Sequence, residues 1–328
     1  MTIKEVAQLA GVSPAAVSRY LNGGSISEEK KERVRKAIEE TGYRPNPMAQ
    51  TMRTGRINQV GIIVPRIHSD SVSQIVAAAT QKLSERGFMP LLGCTSQTHE
   101  GEHEYLHLMQ ENQVAGIILM GTVLTPLIRQ AARECRVPVV ITGQNCAGVP
   151  CVYHDDFHAV RDLTNLLIRR GRRRLVMVSA PEEDVAVGLN RCRGARQAME
   201  DAGLAPASLL TETSSFDVKG GREAMGRLLQ RLPDLDGVIC ATDTMAMGAM
   251  LALREAGRRI PEDVSVAGVG DSWFDEVSIP ALTTAHLFFH QCGEEAARLL
   301  LELIDKGSRE EHIRQICLQY RIVERGSI

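Results

Sequence analysis

The sequence contains no run of 18 apolar residues and no C-x-x-C pair. The first absence excludes a membrane-spanning helix. The second bears on eight cysteines at positions 94, 135, 146, 151, 192, 240, 292 and 317, several of them inside apolar runs such as Val238-Ile239-Cys240-Ala241. Their spacings do not support a thiolate zinc site and predict reduced, buried thiols acting as small hydrophobes. A Walker A sequence is also missing, and Gly268-x-Gly270 lacks the third glycine and the following helix of a dinucleotide site. No nucleophile–base pair has a supporting motif. An enzyme is therefore not expected, and neither is a cofactor. Met1-Thr2-Ile3-Lys4-Glu5 is polar, without a basic stretch leading into an apolar one, which predicts a cytoplasmic rather than a secreted chain. What is present is an ordinary globular composition: 328 residues, 44% hydrophobic and 24% charged, enough for two to three domains.

Charge is unevenly spread. Residues 1–56 hold ten basic and six acidic side chains, a balance of +4, which leaves −6 for the remainder of a chain whose net charge is −2. A basic head on an acidic body is the outline of a nucleic-acid-binding module attached to something else.

Within that head, Thr2 is placed to cap a helix whose stripe is Ile3, Val6, Ala7 and Ala10, stopped by Gly11. Ser13 caps a second helix with Pro14 at its first position. There Val17 and Leu21 face inward, while Ala15, Ala16, Ser18, Arg19 and Asn22 take other faces. After Asn22-Gly23-Gly24, Ser27 opens a third helix with inner stripe Val34, Ala37, Ile38 and Thr41, ended by Gly42. Two short helices around a tight turn, then a third, form the helix-turn-helix layout, and an Arg on the second can reach guanine O6 and N7 in the major groove. A generic three-helix bundle would show the same stripes; the basic charge weighs against it. Asn46-Pro47 through Gly55 then predicts a further helix of about two turns, too short to be stable alone.

The stretches Thr2-Ile3-Lys4-Glu5-Val6-Ala7, Ala10-Gly11-Val12-Ser13-Pro14-Ala15-Ala16-Val17-Ser18-Arg19-Tyr20-Leu21-Asn22 and Gly42-Tyr43-Arg44-Pro45-Asn46 resemble the DNA-binding head of the LacI/GalR transcription regulators. The resemblance implies that positions matching Ala15, Ala16 and Arg19 read bases, with Pro14 and Ser18 at the same interface. Tyr20 replaces a small aliphatic residue, so operator preference does not carry over. The resemblance also implies a hinge helix that folds on DNA beside its dimer mate, where Met52 stands at the position of a wedging Leu; Met is itself a wedge type. Ser13, Asn22, Asn46 and Ala49 complete the expected DNA-binding set.

From Gln59 onward short apolar runs (Val60–Val64, Ala115–Met120, Val137–Ile141, Leu175–Val178, Val238–Ala241, Val264–Val269) alternate with amphipathic stretches around 71–86, 101–112, 156–170, 189–203, 217–230, 243–256 and 290–305. This pattern predicts parallel sheets covered on both faces, and about 270 residues is large for one open sheet. The expected fold class is α/β: a helix-turn-helix head (1–45), a hinge and linker (46–58) and a two-lobed body of doubly wound sheets (59–328). Ligands of such sheets bind outside the carboxyl ends of the strands, here in the cleft between lobes. The resemblance runs through this body as well, on Val114-Ala115-Gly116-Ile117-Ile118, Ala241-Thr242-Asp243, Ile260-Pro261-Glu262-Asp263-Val264 and Pro280-Ala281-Leu282-Thr283-Thr284. It implies a periplasmic-binding-protein-like sensor, two lobes joined by three crossovers.

The resemblance places Arg191 on sugar hydroxyls and Phe216 against an effector ring. Asp243 follows a buried strand and doubles as the expected N-cap of the next helix; Asp271 sits where many relatives carry two acidic residues, the first being Gly270 here. Asp155 and Asp156 follow the strand Cys151–Tyr153, and one of them is expected at the cleft. One Arg, one aromatic and several carboxylates suit a polyhydroxylated ligand. The expectation is a homodimeric, saccharide-responsive repressor that binds double-stranded operator DNA, similar to regulators of sucrose and related saccharide operons. A tetramer is not expected, because Ile313–Glu324 reads as strand rather than as an apolar heptad segment. A catabolite-type regulator needing a protein or sugar-phosphate corepressor stays open, as does an exported solute-binding protein. His99-Glu100-Gly101-Glu102-His103 fits H-E-x-x-H, with His107 adding a third imidazole. Its interior Gly and its place on an outer helix favour a solvated polar face over a metal site.

Overall fold

The computed structural model describes residues 2–21, 24–43, 58–95, 99–307 and 313–328. It divides into two units, Met1–Ile57 and Asn58–Ile328. In the first, α1 (Ile3–Leu9) begins with the full reciprocal cap: Thr2 Oγ1 accepts from the Glu5 N–H, and the Glu5 carboxylate accepts from the Thr2 N–H at 2.7 Å. Gly11, at φ +60, turns the chain into α2 (Pro14–Leu21), whose first turn is capped by Ser13 Oγ accepting from the Ala16 N–H. α3 (Glu28–Thr41) ends on left-handed Gly42. Val6, Ala7, Ala10, Val17, Val34 and Ala37 form the small core, as the stripes predicted. Asn22, Asn46, Ala49 and Met52 lie outside the described residues.

The second unit holds two six-stranded sheets. In the first, β1 (Gln59–Val64), β2 (Met89–Cys94), β3 (Gly116–Met120), β4 (Val139–Thr142), β5 (Cys151–His154) and β11 (Gln315–Leu318) run parallel in the order β11-β5-β4-β3-β1-β2. Its faces are covered by α4 (Asp70–Glu85) and α11 (Phe289–Lys306) on one side, and by α5 (His99–Glu111) and α6 (Pro126–Glu134) on the other. In the second, β6 (Leu175–Ser179), β7 (Leu210–Thr213), β8 (Gly237–Cys240), β9 (Ser265–Gly270), β10 (Thr283–Leu287) and β12 (Tyr320–Val323) lie in the order β12-β10-β9-β8-β6-β7, with β12 antiparallel. Around it pack α7 (Asp156–Arg169), α8 (Arg191–Asp201), α9 (Val218–Arg231) and α10 (Asp243–Glu255). Helices α9 and α10 nearly touch: a Cβ on Gly248 would stand 2.2 Å from the Val218 carbonyl.

The chain passes between the sheets at residues 155, 288 and 319. The last crossing splits the apolar run at 313–324, expected as one strand, into β11 in one lobe and β12 in the other. Asp243 also departs from its expected role. Thr242 is the N-cap, accepting from the Met245 N–H, and Asp243 occupies the first helical position.

Candidate functional site

On the head, Pro14, Ala15 and Arg19 are exposed, Ser18 is half-buried, and Val17 anchors the helix from inside. Ala16 differs from its expected place: it is 5% exposed, so the accessible small side chains of this helix are Pro14 and Ala15. The other arginines among the described head residues are tied down, Arg33 to the Gly11 carbonyl at 2.8 Å and Arg35 to Glu32 and Glu39 at 2.6 and 2.8 Å. Among the described residues, the Arg19 guanidinium makes one long hydrogen bond, 3.4 Å from Nε to the Ala15 carbonyl one turn back.

In the second unit a cleft opens between the lobes at the carboxyl ends of the parallel strands, with about 1000 Å³ of space including its mouth. Its walls follow from the topology: Arg66 after β1, Thr122 after β3, Gln144 after β4 and His154 ending β5 on one side; Asp184 after β6, Asp243 after β8 and Ser272 after β9 on the other. Parallel strands point every such loop to one edge. Arg191 and Asp156 meet here, both 5% exposed. Nε and Nη2 of the guanidinium each stand 2.7 Å from Asp156 Oδ1, and Nη1 donates to the Ala241 carbonyl. Burial raises the Asp156 pKa and the Arg191 charge opposes it.

Asp243 is fully enclosed. Its Oδ1 accepts from Thr284 Oγ1 at 2.6 Å, and its Oδ2 accepts from the Ser272 N–H and Oγ–H, both at 3.1 Å. The Ser272 N–H is shared with Asp275 Oδ2 at 2.9 Å. Burial and the neighbouring Asp243 charge push the Asp275 carboxyl up to about 9, and burial raises Asp243 as well, so the pair favours a protonated form. Gly270 has a structural reason: a Cβ there would stand 2.4 Å from Asp243 Oδ2. The space a side chain at Gly270 would need is filled by this carboxylate.

Two expected ligand contacts are placed differently. Asp271 does not line the cleft. Gly270 (φ +148) and Asp271 (φ +60) turn its carboxylate toward Arg325 at 2.6 Å and His286 at 2.8 Å. Phe216 does line it, but the Arg66 guanidinium carbon lies 3.9 Å over the ring centroid, on a face expected to receive a ligand. That contact spans the lobes, and so does Gln144 Nε2 to Asp184 Oδ1 at 3.4 Å. Arg66, Gln144, Asp184 and His154 escaped sequence reasoning, although the first three follow a strand by a few residues and His154 ends one. Applying the strand-end rule to every apolar run would have found them.

The H-E-x-x-H helix corrects the expected solvated face. His107 is exposed, 3.4 Å from Glu111, but Glu102 is 1% exposed and its Oε2 has no hydrogen-bond partner. Among the described residues, no group of three His, Cys, Asp or Glu side chains is arranged to hold a metal ion. Burial pushes the Glu102 carboxyl up to about 7, with the Asp184 charge adding to the shift, and burial likewise lifts Asp184 to about 6. From the ordinary carboxylate range up to pH 7 the folded chain therefore binds more protons at Glu102 than the unfolded chain does. Stability falls as pH rises through that window. Glu102→Gln is expected to change little at pH 5 and to stabilise the fold at pH 8 by up to roughly 3 kcal/mol, the equivalent of the shift. Urea unfolding at both pH values measures this; an equal effect at the two would remove the buried-carboxyl explanation.

A two-lobed cleft sensor carrying a helix-turn-helix head defines a class of ligand-responsive regulators. The comparisons agree with the geometry. Residues 2–46 match the model for bacterial regulatory proteins of the lacI family, and residues 164–328 match the periplasmic binding protein-like domain. The chain is 35% identical to the HTH-type transcriptional regulator CelR of Thermobifida fusca, over 96% of this chain and 95% of that one. It is 30% identical to the sucrose operon repressor of Staphylococcus xylosus, over 95% and 96%. A solved structure of a CelR–cellobiose complex superposes with a TM-score of 0.76 at 32% identity, covering 100% of this chain and 99% of that one. The chain belongs to the LacI family of transcriptional regulators.

Proposed function

We propose that this regulator represses carbohydrate-utilisation genes as a homodimer on operator DNA, with a neutral saccharide in the interlobe cleft weakening that grip. The observation that carries the ligand class is how the cleft arginines are used. Among the described lining residues, Arg191 is spent on Asp156 and Ala241, and Arg66 lies over Phe216. A phosphorylated ligand needs an available cation, whereas a polyol is served by the carboxylates, amides and hydroxyls around it. The names of CelR and the sucrose operon repressor, and the cellobiose in the CelR complex, support the same class. A sugar-phosphate corepressor would need such a cation, whereas a protein corepressor would not depend on the cleft. The names of the relatives as transcriptional regulators support a role other than catalysis, and a DNA target fits a cytoplasmic chain. No helix among the described residues is long and apolar enough to cross a membrane.

Dimerisation is supported by apolar side chains left uncovered on both lobes: Trp273, Val277 and Ile279 at 74%, 69% and 81% exposure in one, and Met89 and Leu92 on edge strand β2 in the other. Isolated exposed apolar residues are ordinary; clusters mark contact surfaces. Residues 46–58 are proposed as the hinge, with Met52 as the wedge. Lobe closure then reaches the DNA through the paired hinges.

The test is operator binding by fluorescence anisotropy at fixed salt, on DNA selected by the protein from a random pool, with and without cellobiose or sucrose. A saturating sugar is expected to weaken binding by about tenfold or more, within the usual 1–3 kcal/mol of coupling. Unchanged operator affinity with sugar demonstrably bound would remove the coupling.

A further inference from the structure

His154 and Thr142 have a property that the fold does not use. His154 is 6% exposed and Thr142 1% exposed, and His154 Nε2 and Thr142 Oγ1 have no hydrogen-bond partner among the described residues. Both line the cleft. Register places them together: Met120 pairs with Thr142 across β3 and β4, and Thr142 pairs with Val152 across β4 and β5. Paired residues share a sheet face, and so do residues two apart on one strand. Met120, Thr142 and His154 therefore lie on one face, the side where Val72, Ile75 and Cys292 also pack. The Phe289 ring stands edge-on to His154, with centroids 5.2 Å apart.

The protonation of His154 is defined by its surroundings. Burial lowers the ring to about 4, so it is neutral at physiological pH, and the Phe288 backbone acts on it in the opposite sense. A neutral imidazole keeps one nitrogen as a lone-pair acceptor, and we assign that role to Nε2, with the proton on the nitrogen nearer the Phe288 backbone. An acceptor-only atom and a hydroxyl, set among Met120, Ile75 and Phe289, match a group that donates one hydrogen bond and accepts another. A sugar hydroxyl is such a group. A phosphate dianion meets a lone pair on Nε2, and the Arg191 guanidinium near the ring is already paired with Asp156.

We propose that Thr142 and His154 form a hydroxyl-recognising subsite at the β4–β5 end of the cleft, where one hydroxyl of a neutral saccharide donates to His154 Nε2 and accepts from Thr142 Oγ1, and where a phosphate at that position is rejected. The inference rests on the cleft being the saccharide site.

At Thr142 stability and affinity are expected to move in opposite directions, which a purely structural role would not produce. Replacing an unsatisfied buried polar group with an isosteric apolar one relieves its desolvation cost. Thr142→Val, without sugar, is expected to melt about 2–4 °C above the parent, whereas His154→Phe also gives up the Phe288 backbone interaction and adds volume, so it is read by affinity alone. A site built to bond a hydroxyl loses affinity once its partner is removed. Calorimetric titration of the full chain with cellobiose, sucrose, glucose and glucose 6-phosphate gives the second readout. The parent is expected to bind at least one neutral sugar and to bind glucose 6-phosphate more weakly than glucose; each variant is expected to bind that neutral sugar about tenfold or more weakly. Sugar bound by the parent and bound equally by both variants would overturn the subsite alone. A destabilised Thr142→Val variant with unchanged sugar affinity would also overturn it, by showing that the Thr142 hydroxyl holds internal water for the fold. Glucose 6-phosphate binding tighter than every neutral sugar, or no binding of any probe to the parent, would overturn both the subsite and the saccharide reading.

Discussion

Arg191→Met is expected to lower the unfolding free energy by about 3–5 kcal/mol at pH 7.5, the range found when one member of a buried ion pair is removed. The guanidinium makes two contacts to Asp156 Oδ1 and one to the Ala241 carbonyl, all out of solvent. Methionine fills much of the volume, so the loss is electrostatic: Asp156 keeps a buried carboxylate with its cation gone. Burial already raises the Asp156 pKa against the pull of Arg191, and the variant raises it further. The sign follows from linkage. A folded carboxyl with a raised pKa is most compatible with the fold at low pH and costs stability as pH rises through its folded value. The deficit of the variant should therefore shrink toward pH 5. Adding Asp156→Asn should recover part of it at pH 7.5, since the second change removes the unpaired charge. Urea unfolding of the parent, both singles and the double variant checks this. A deficit below about 1 kcal/mol, typical of an exposed pair, would show that Asp156 reaches water despite its burial.

Much of the fold was legible because its elements carry local signals. The capping residues Thr2 and Ser13, the stop at Gly11 and the stripe ending at Gly42 each act within four residues, and the head follows them. Continuous apolar runs marked β1, β3, β4, β6, β8 and β9, which are covered on both faces. Strand β2, at an edge with Met89 and Leu92 exposed, and Thr-rich β10 gave no such run. The site was less legible because its contacts are long-range. Arg66 reaches Phe216 from the opposite lobe, and Asp271 is drawn off by Arg325, 54 residues later. Glu102 looked like part of a solvated helix face, and only the packing of α5 against the sheet buries it.

Arg19→Ala is expected to have the largest effect on DNA binding of any single change in the described head. The helix presents it without competition. Val17 is fully buried and fixes the rotation of α2, Ser13 caps its first turn, and Arg19 is exposed with, among the described residues, one 3.4 Å hydrogen bond from its guanidinium to the Ala15 carbonyl. Arg33 and Arg35 spend their guanidinium groups inside the head. A bidentate Arg–guanine contact is worth about 1–3 kcal/mol of discrimination. A dimer uses the residue once per half-site, so the full operator should lose about 2–6 kcal/mol, roughly thirtyfold to more than ten-thousandfold in Kd. The loss should concentrate at one base pair per half-site: substituting that pair should weaken the parent strongly and leave Arg19→Ala unchanged. Arg35→Ala, which removes only exposed intrahelical ion pairs, should cost less than about 1 kcal/mol of operator affinity. Gel-shift titrations of the three proteins against a set of singly substituted operators at one salt concentration separate these outcomes. If Arg19→Ala weakens every operator and random DNA by the same factor, with a shallower salt dependence, then Arg19 is a phosphate contact, and base reading by this helix falls to Pro14 and Ala15.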